Sequence, residues 1–167
     1  FLKAIYELFE SQPQLKSKIK FEYIGNAPDW LNDMIEEFNL QDNFINHGFL
    51  PKNEVLKIES TWDAILATSE KIENGHHYTI PSKSFDSIKL KKQILAFVTP
   101  GSQYIFLKNY KQSIFFNPDD IEANTKKLKQ VITANKTITY DELSEVFTRE
   151  HQSKKFLQLI KPCANES

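Results

Sequence analysis

Apolar positions along the chain change period several times. In "FLKAIYELF", Leu2, Ile5, Tyr6 and Phe9 recur at helical spacing. After "SQPQLKSK", the stretch "IKFEYIG" carries Ile19, Phe21, Tyr23 and Ile24 and reads as a strand that stops at Gly25. "APDWLNDMIEEFNL" returns to helical spacing, opened by Pro28-Asp29, with Trp30, Leu31, Met34, Ile35 and Phe38 on one packed side. "NFINHG" predicts a short strand ending at Gly48, and "PKNEVLKIES" a helix with Pro51 at its start. The alternation then continues. "DAILATS" is a strand, "SKSFDSIKLK" a helix, "QILAFVTPG" a strand, "SQYIFLKNY" a short helix and "QSIFFNP" a short strand. "PDDIEANTKKLKQVIT" predicts a helix with Asp119 and Asp120 in its first turn, where carboxylates suit the helix dipole. The tail, "TYDELSEVFTREHQSKKFLQLI", reads as mainly helical, with Thr139 as cap and Glu142 completing a capping box.

Short apolar strands separated by amphipathic helices imply an α/β domain: a Rossmann-like parallel sheet of about five strands, covered by helices on both faces. Residues 1–134 are assigned to that domain and residues 135–167 to a helical tail packed on it. Glycine and proline fall where strands should end, at Gly25, Gly48, Pro81, Pro100-Gly101 and Pro118. In open α/β sheets ligands bind outside the carboxyl ends of the strands, so these loops are the ones to search.

Composition narrows the choice. A length of 167 residues suits one domain with a tail, and 40% hydrophobic with 26% charged residues is the balance of a globular chain. A net charge of -1 argues against nucleic acid, whose partners carry a basic excess. The lone cysteine, Cys163, excludes an internal disulfide and a cysteine zinc cluster, and fits a reducing compartment. No apolar run reaches the ~18 residues that span a bilayer. The chain opens on Phe1 inside a predicted helix, and the expectation is a piece of a longer protein.

The strongest candidate chemistry lies in "YTIPSKSFDSI". Proline and serine suit a helix start, where unpaired N–H groups and the positive dipole end attract phosphate. Lys83 adds a full charge. Asp86, one turn on, faces the side of Ser82 and Lys83 and can accept hydrogen bonds from sugar hydroxyls. The plain alternative is an ordinary cap with a solvated lysine. His76-His77, beside Glu70 and Glu73, lack a second ligand pair at zinc spacing and read as a loop without metal. Phe97, Phe115 and Phe116 read as core strand residues, Trp30 as helix packing, and "KKLKQ" and "KLKKQ" as solvated helix faces that are also candidate contacts for anionic lipid.

Read in order, these segments resemble the donor-binding C-terminal domain of GT-B glycosyltransferases of the group 1 class, in the bacterial branch with "PSK" before its donor helix. The resemblance runs from "FLKAIYELFESQPQLK" through "WDA" at Trp62, "IPSKSFDSIKLKKQILAFVTPG" and "FNPDDIEANTKKLKQVI" to "FTREHQSKKFLQLI". It implies binding of a nucleotide-sugar, a UDP-sugar by preference, and transfer of the sugar to a glycan or lipid-linked acceptor in bacterial surface polysaccharide biosynthesis. It implies no cofactor and no metal, and a cytoplasmic place, peripheral to the inner face of the membrane.

The family's second donor glutamate matches Asp86, which would hold the ribose. The first would fall on Tyr78, a departure from the pattern. Loop amides that meet the diphosphate match Ser82 and Lys83, since Pro81 has no N–H. The base-recognising loop matches Gly48, Phe49 and Leu50; Gly25-Asn26 borders the same cleft, and Gly101 lies by the donor sugar. The resemblance also places a central strand and basic residues ahead of Phe1, so the strands at Ile19–Ile24 and Ala64–Leu66 are expected to lack a shared partner. Catalytic residues are not assigned. The alternative function is a degenerate, non-enzymatic Rossmann-like interaction module. A GT-B epimerase would call for more acids and histidines in the cleft.

Overall fold

A computed structural model describes residues 1–72, 78–134, 146 and 149–160. The chain is α/β. Its helices are α1 (Leu2–Ser11), α2 (Asp29–Glu37), α3 (Lys52–Thr61), α4 (Ser82–Lys89), α5 (Ser102–Lys108), α6 (Ile121–Thr133) and α7 (Arg149–Ile160). Its strands are β1 (Phe21–Tyr23), β2 (Phe44–Asn46), β3 (Ala64–Thr68), β4 (Gln93–Phe97) and β5 (Ser113–Phe115). Every ladder is parallel.

The strands do not join in a single sheet. β1 and β2 form a two-stranded sheet, and β3-β4-β5 a three-stranded one. The expected five-stranded sheet is corrected accordingly. Among the described residues β1 pairs only with β2, and β3 only with β4, so each keeps an edge without a ladder. The chain divides into two compact units: the described residues of Phe1–Thr61 with Phe116–Lys136, and those of Trp62–Phe115 with Thr137–Ser167.

The first unit is built on α1 and α6. Ala4, Ile5, Leu8 and Phe9 are buried along one stripe of α1, as its period requires. Leu128 of α6 is buried too, and Thr125 Oγ1 donates to the Ala4 carbonyl at 3.2 Å. Phe21 of β1 meets the rings of Phe1 and Phe9 at 5.6 and 6.4 Å, which seats the strand against α1. Buried Asn43 donates to the carbonyls of Lys16 and Ile19, both at 2.7 Å, tying the approach to β2 to the segment before β1. Trp30 departs from expectation. Leu31 and Ile35 are the residues α2 buries, while Trp30 is 61% exposed at the helix start. On a two-turn helix the apolar stripe can turn only so wide, and Trp30 lies off it.

The second unit has a core of Ile88, Ile94, Ala96, Val98, Leu107 and Tyr110, with Tyr104, Phe106 and Phe115 packed against it. The Tyr110 hydroxyl donates to the Lys92 carbonyl at 3.0 Å, so a fully buried ring keeps its polar end satisfied. Phe97 of β4 is buried here, as the strand pattern predicts, while Phe116, buried in the first unit, lies one residue past the end of β5 rather than in the strand. β3 is apolar from Ala64 to Ala67 yet buries Ile65 while leaving Leu66 42% exposed, so its two faces are not equally covered.

Two local expectations also shift. α4 ends at Lys89, and Lys91 takes a left-handed φ of 56°, so "KLKKQ" is a helix end and turn rather than a continuing helix face. Asp120 is the cap of α6, ahead of its first turn: its carboxylate accepts from the Ala123 N–H at 2.9 Å. Among the described residues no helix is long and apolar enough to cross a membrane. The proposed cap at Thr139 and the pair His76-His77 lie outside the described residues.

Candidate functional site

The nominated residues fall into two groups, one in each unit. In the first unit, β1 and β2 run on past their last ladder residues. The His47 N–H donates to the Tyr23 carbonyl at 2.9 Å, and the Gly25 N–H to the Gly48 carbonyl at 2.8 Å. The two glycine loops therefore sit side by side at the carboxyl end of the sheet. Both glycines are needed for their backbone: φ is 132° at Gly25 and 67° at Gly48. Asn46 closes a turn by accepting the Gly48 N–H on Oδ1 at 2.9 Å. Asn26 is exposed, and its carbonyl accepts a long bond from the Tyr23 hydroxyl at 3.5 Å. Phe49 is 82% exposed and Leu50 half-buried.

In the second unit, Pro81 is the residue that caps α4, with extended φ and ψ of -60° and 140°. Ser82 is the first helical residue, not the cap. Proline's fixed φ suits either position, and no side chain caps this helix. Ser82 and Lys83 are exposed on the first turn, and Asp86 is half-buried one turn later. Their spacing of three and four places them on one side of α4. Gly101 caps α5.

Several residues that the sequence reading passed over complete these sites. Gln103, buried on α5, reaches from Nε2 to the Ser84 hydroxyl of α4 at 3.4 Å, which links the starts of the two helices. Ser69 and Thr99, just past β3 and β4, share a hydroxyl–hydroxyl bond of 3.0 Å, and the Thr99 N–H donates to Ser69 Oγ at 2.7 Å. Both follow strand ends, and that position was their only signal. In the first unit, His47 Nε2 meets Glu22 Oε2 at 2.7 Å, with both side chains about a quarter exposed at 26% and 27%.

Chemically, the α4 tip offers amide N–H groups and a lysine to an anion, with a carboxylate a turn away for hydroxyl donors. The β1–β2 end offers backbone groups, exposed aromatic rings and a histidine–carboxylate pair. Among the described residues no group of three or more His, Cys, Asp or Glu is placed to hold a metal. No protein-family model, no curated protein and no solved structure matches the chain.

Proposed function

We propose that the chain is the donor-binding domain of a GT-B glycosyltransferase, with a Rossmann-like arrangement of its strands, that takes a nucleotide-sugar for transfer to a glycan or lipid-linked acceptor. The observation that carries this reading is the exposed first turn of α4, with Ser82, Lys83 and half-buried Asp86 on one side. Amides at a helix start and the Lys83 ammonium oppose the charge that grows on a departing diphosphate. Asp86 accepts hydrogen bonds from ribose hydroxyls. Parallel ladders and glycine turns at the strands' carboxyl ends agree with such a domain.

The test is a titration of UDP into the isotope-labelled chain, followed by amide shifts. Shifts should cluster at residues 82–86 and 101. Lys83→Ala should weaken binding about tenfold, as loss of one charge-assisted hydrogen bond does. Shifts confined to α1 and α6, or no binding of UDP at all, would overturn the assignment. Tyr78, 80% exposed where the donor signature has an acid, favours the second reading of a binding module without transferase activity. That reading gains if no nucleoside diphosphate raises the melting temperature.

A further inference from the structure

We propose that a hydroxyl of the transferred sugar is the missing hydrogen-bond partner of the Gln103 carboxamide, which makes Gln103 a ligand-binding residue of the α4 site. The inference rests on the nucleotide-sugar reading above and adds where the sugar lies: at the first turns of α4 and α5, which belong to the same compact unit.

A buried polar group without a partner carries the inference. Gln103 is 2% exposed, and its Oε1 is covered by protein yet accepts no hydrogen bond among the described residues. Such groups are rare, because burial removes water and the lost bond is not replaced. Packing does not call for one here. Gln103 lies four residues before Leu107, which is 0% exposed in the core, so the two share the inward side of α5. An apolar side chain would fill that position without leaving a polar atom bare.

The same carboxamide reaches the proposed site. Its Nε2 meets Ser84 Oγ at 3.4 Å, and Ser84 directly follows the exposed Ser82 and Lys83 in the first turn of α4. Oε1 and Nε2 share one carbon, so the bare acceptor lies beside that turn. The contact with Ser84 is long for an amide donor, and the torsion that turns a carboxamide is soft, so the group can rotate to meet a ligand. Chemistry then selects the ligand. Oε1 only accepts, and so do the oxygens of an ionised diphosphate, whereas a sugar hydroxyl donates. Were the carboxamide turned end for end, the Ser84 hydroxyl would donate to Oε1 and Nε2 would be the bare end. A hydroxyl satisfies that end too, since it accepts as well as donates.

Titration calorimetry on the full chain can decide this with UDP, UDP-glucose, UDP-galactose and UDP-N-acetylglucosamine. At least one sugar nucleotide should bind more tightly than UDP, and removing one of its ring hydroxyls should weaken it about tenfold. Gln103→Met puts an apolar side chain of similar length in place of the carboxamide. The variant should bind UDP as the wild type does, and should bind the sugar nucleotide no better than its deoxy analogue. Its urea midpoint should not fall. A Gln103→Met chain that still tells the sugar from its deoxy analogue overturns the proposal and leaves a buried water as the partner. So does a wild-type chain that binds UDP and none of the sugar nucleotides more tightly; the nucleotide reading would still stand. A chain that binds neither UDP nor any sugar nucleotide overturns both. Should Gln103→Met fail to fold, the side-chain amide resonance of Gln103 in the isotope-labelled wild type carries the decision. It should move with the sugar nucleotide beyond its position with UDP, and a resonance that stays there overturns the proposal.

Discussion

A single carboxylate sets where α6 begins. Asp120 accepts from the Ala123 N–H at 2.9 Å, while the neighbouring Asp119 N–H donates to Asn117 Oδ1 at 3.1 Å, which shapes the turn before the helix. Asp120→Ala should therefore lower stability by about 1 kcal/mol, measured by urea unfolding. At the α4 tip no such cap operates, and Ser82 and Lys83 remain at the surface. The difference is chemical. A cap side chain satisfies the helix's first amides at α6, whereas at α4 the Ser84 N–H donates to the Pro81 carbonyl at 2.9 Å. His47 and Glu22 belong to the same scale. Their 2.7 Å contact joins a residue in β1 to one just past β2, and neither position announces the other in the sequence.

Element by element, local patterning set the order of helices and strands, and hydrogen bonds set their lengths. β1 and β2 are three residues each, shorter than their apolar stretches, because the chain turns at Gly25 and Gly48 soon after. α7 offers a pH test. Lys154 Nζ lies 2.7 Å from Glu150 Oε1, one turn apart. The hydrogen bond and the charge of Lys154 hold the Glu150 carboxyl below its ordinary value, and Glu150 in turn raises Lys154. A depressed carboxyl favours the helix once pH exceeds the unfolded value, and that benefit is lost as pH falls through the folded one. The raised lysine contributes until pH climbs past its folded value. Far-ultraviolet circular dichroism should show a small loss of helix on acidification that is reduced in Glu150→Gln and in 1 M salt. The effect should be slight, since both groups are exposed and screened.

Across the molecule, stability rests on buried apolar surface in each unit. Ile88 of α4 is 0% exposed within the core that also holds Ile94, Leu107 and Tyr110. Ile88→Ala should cost about 2–5 kcal/mol, read from the urea midpoint, because the cavity adds to the lost transfer energy. The same residue couples core and surface. It lies two positions from Asp86, so the helix that buries Ile88 also presents the candidate anion site. A loosened core should therefore blur the first turn of α4, and amide exchange there would report it.

The sequence by itself determined the alternation of helices and strands, their parallel α/β character and the glycine turns at strand ends. These follow from periodicity and backbone freedom, which are local properties. It also picked out Ser82, Lys83 and Asp86, because three and four residues make one helical turn. Only the tertiary structure decided that the five strands separate into sheets of two and three, that Trp30 is exposed, and that His47 meets Glu22. Ladder partners, the neighbours that cover a side chain and the pairing of distant charges are set by chain segments far apart in sequence. No local pattern encodes them.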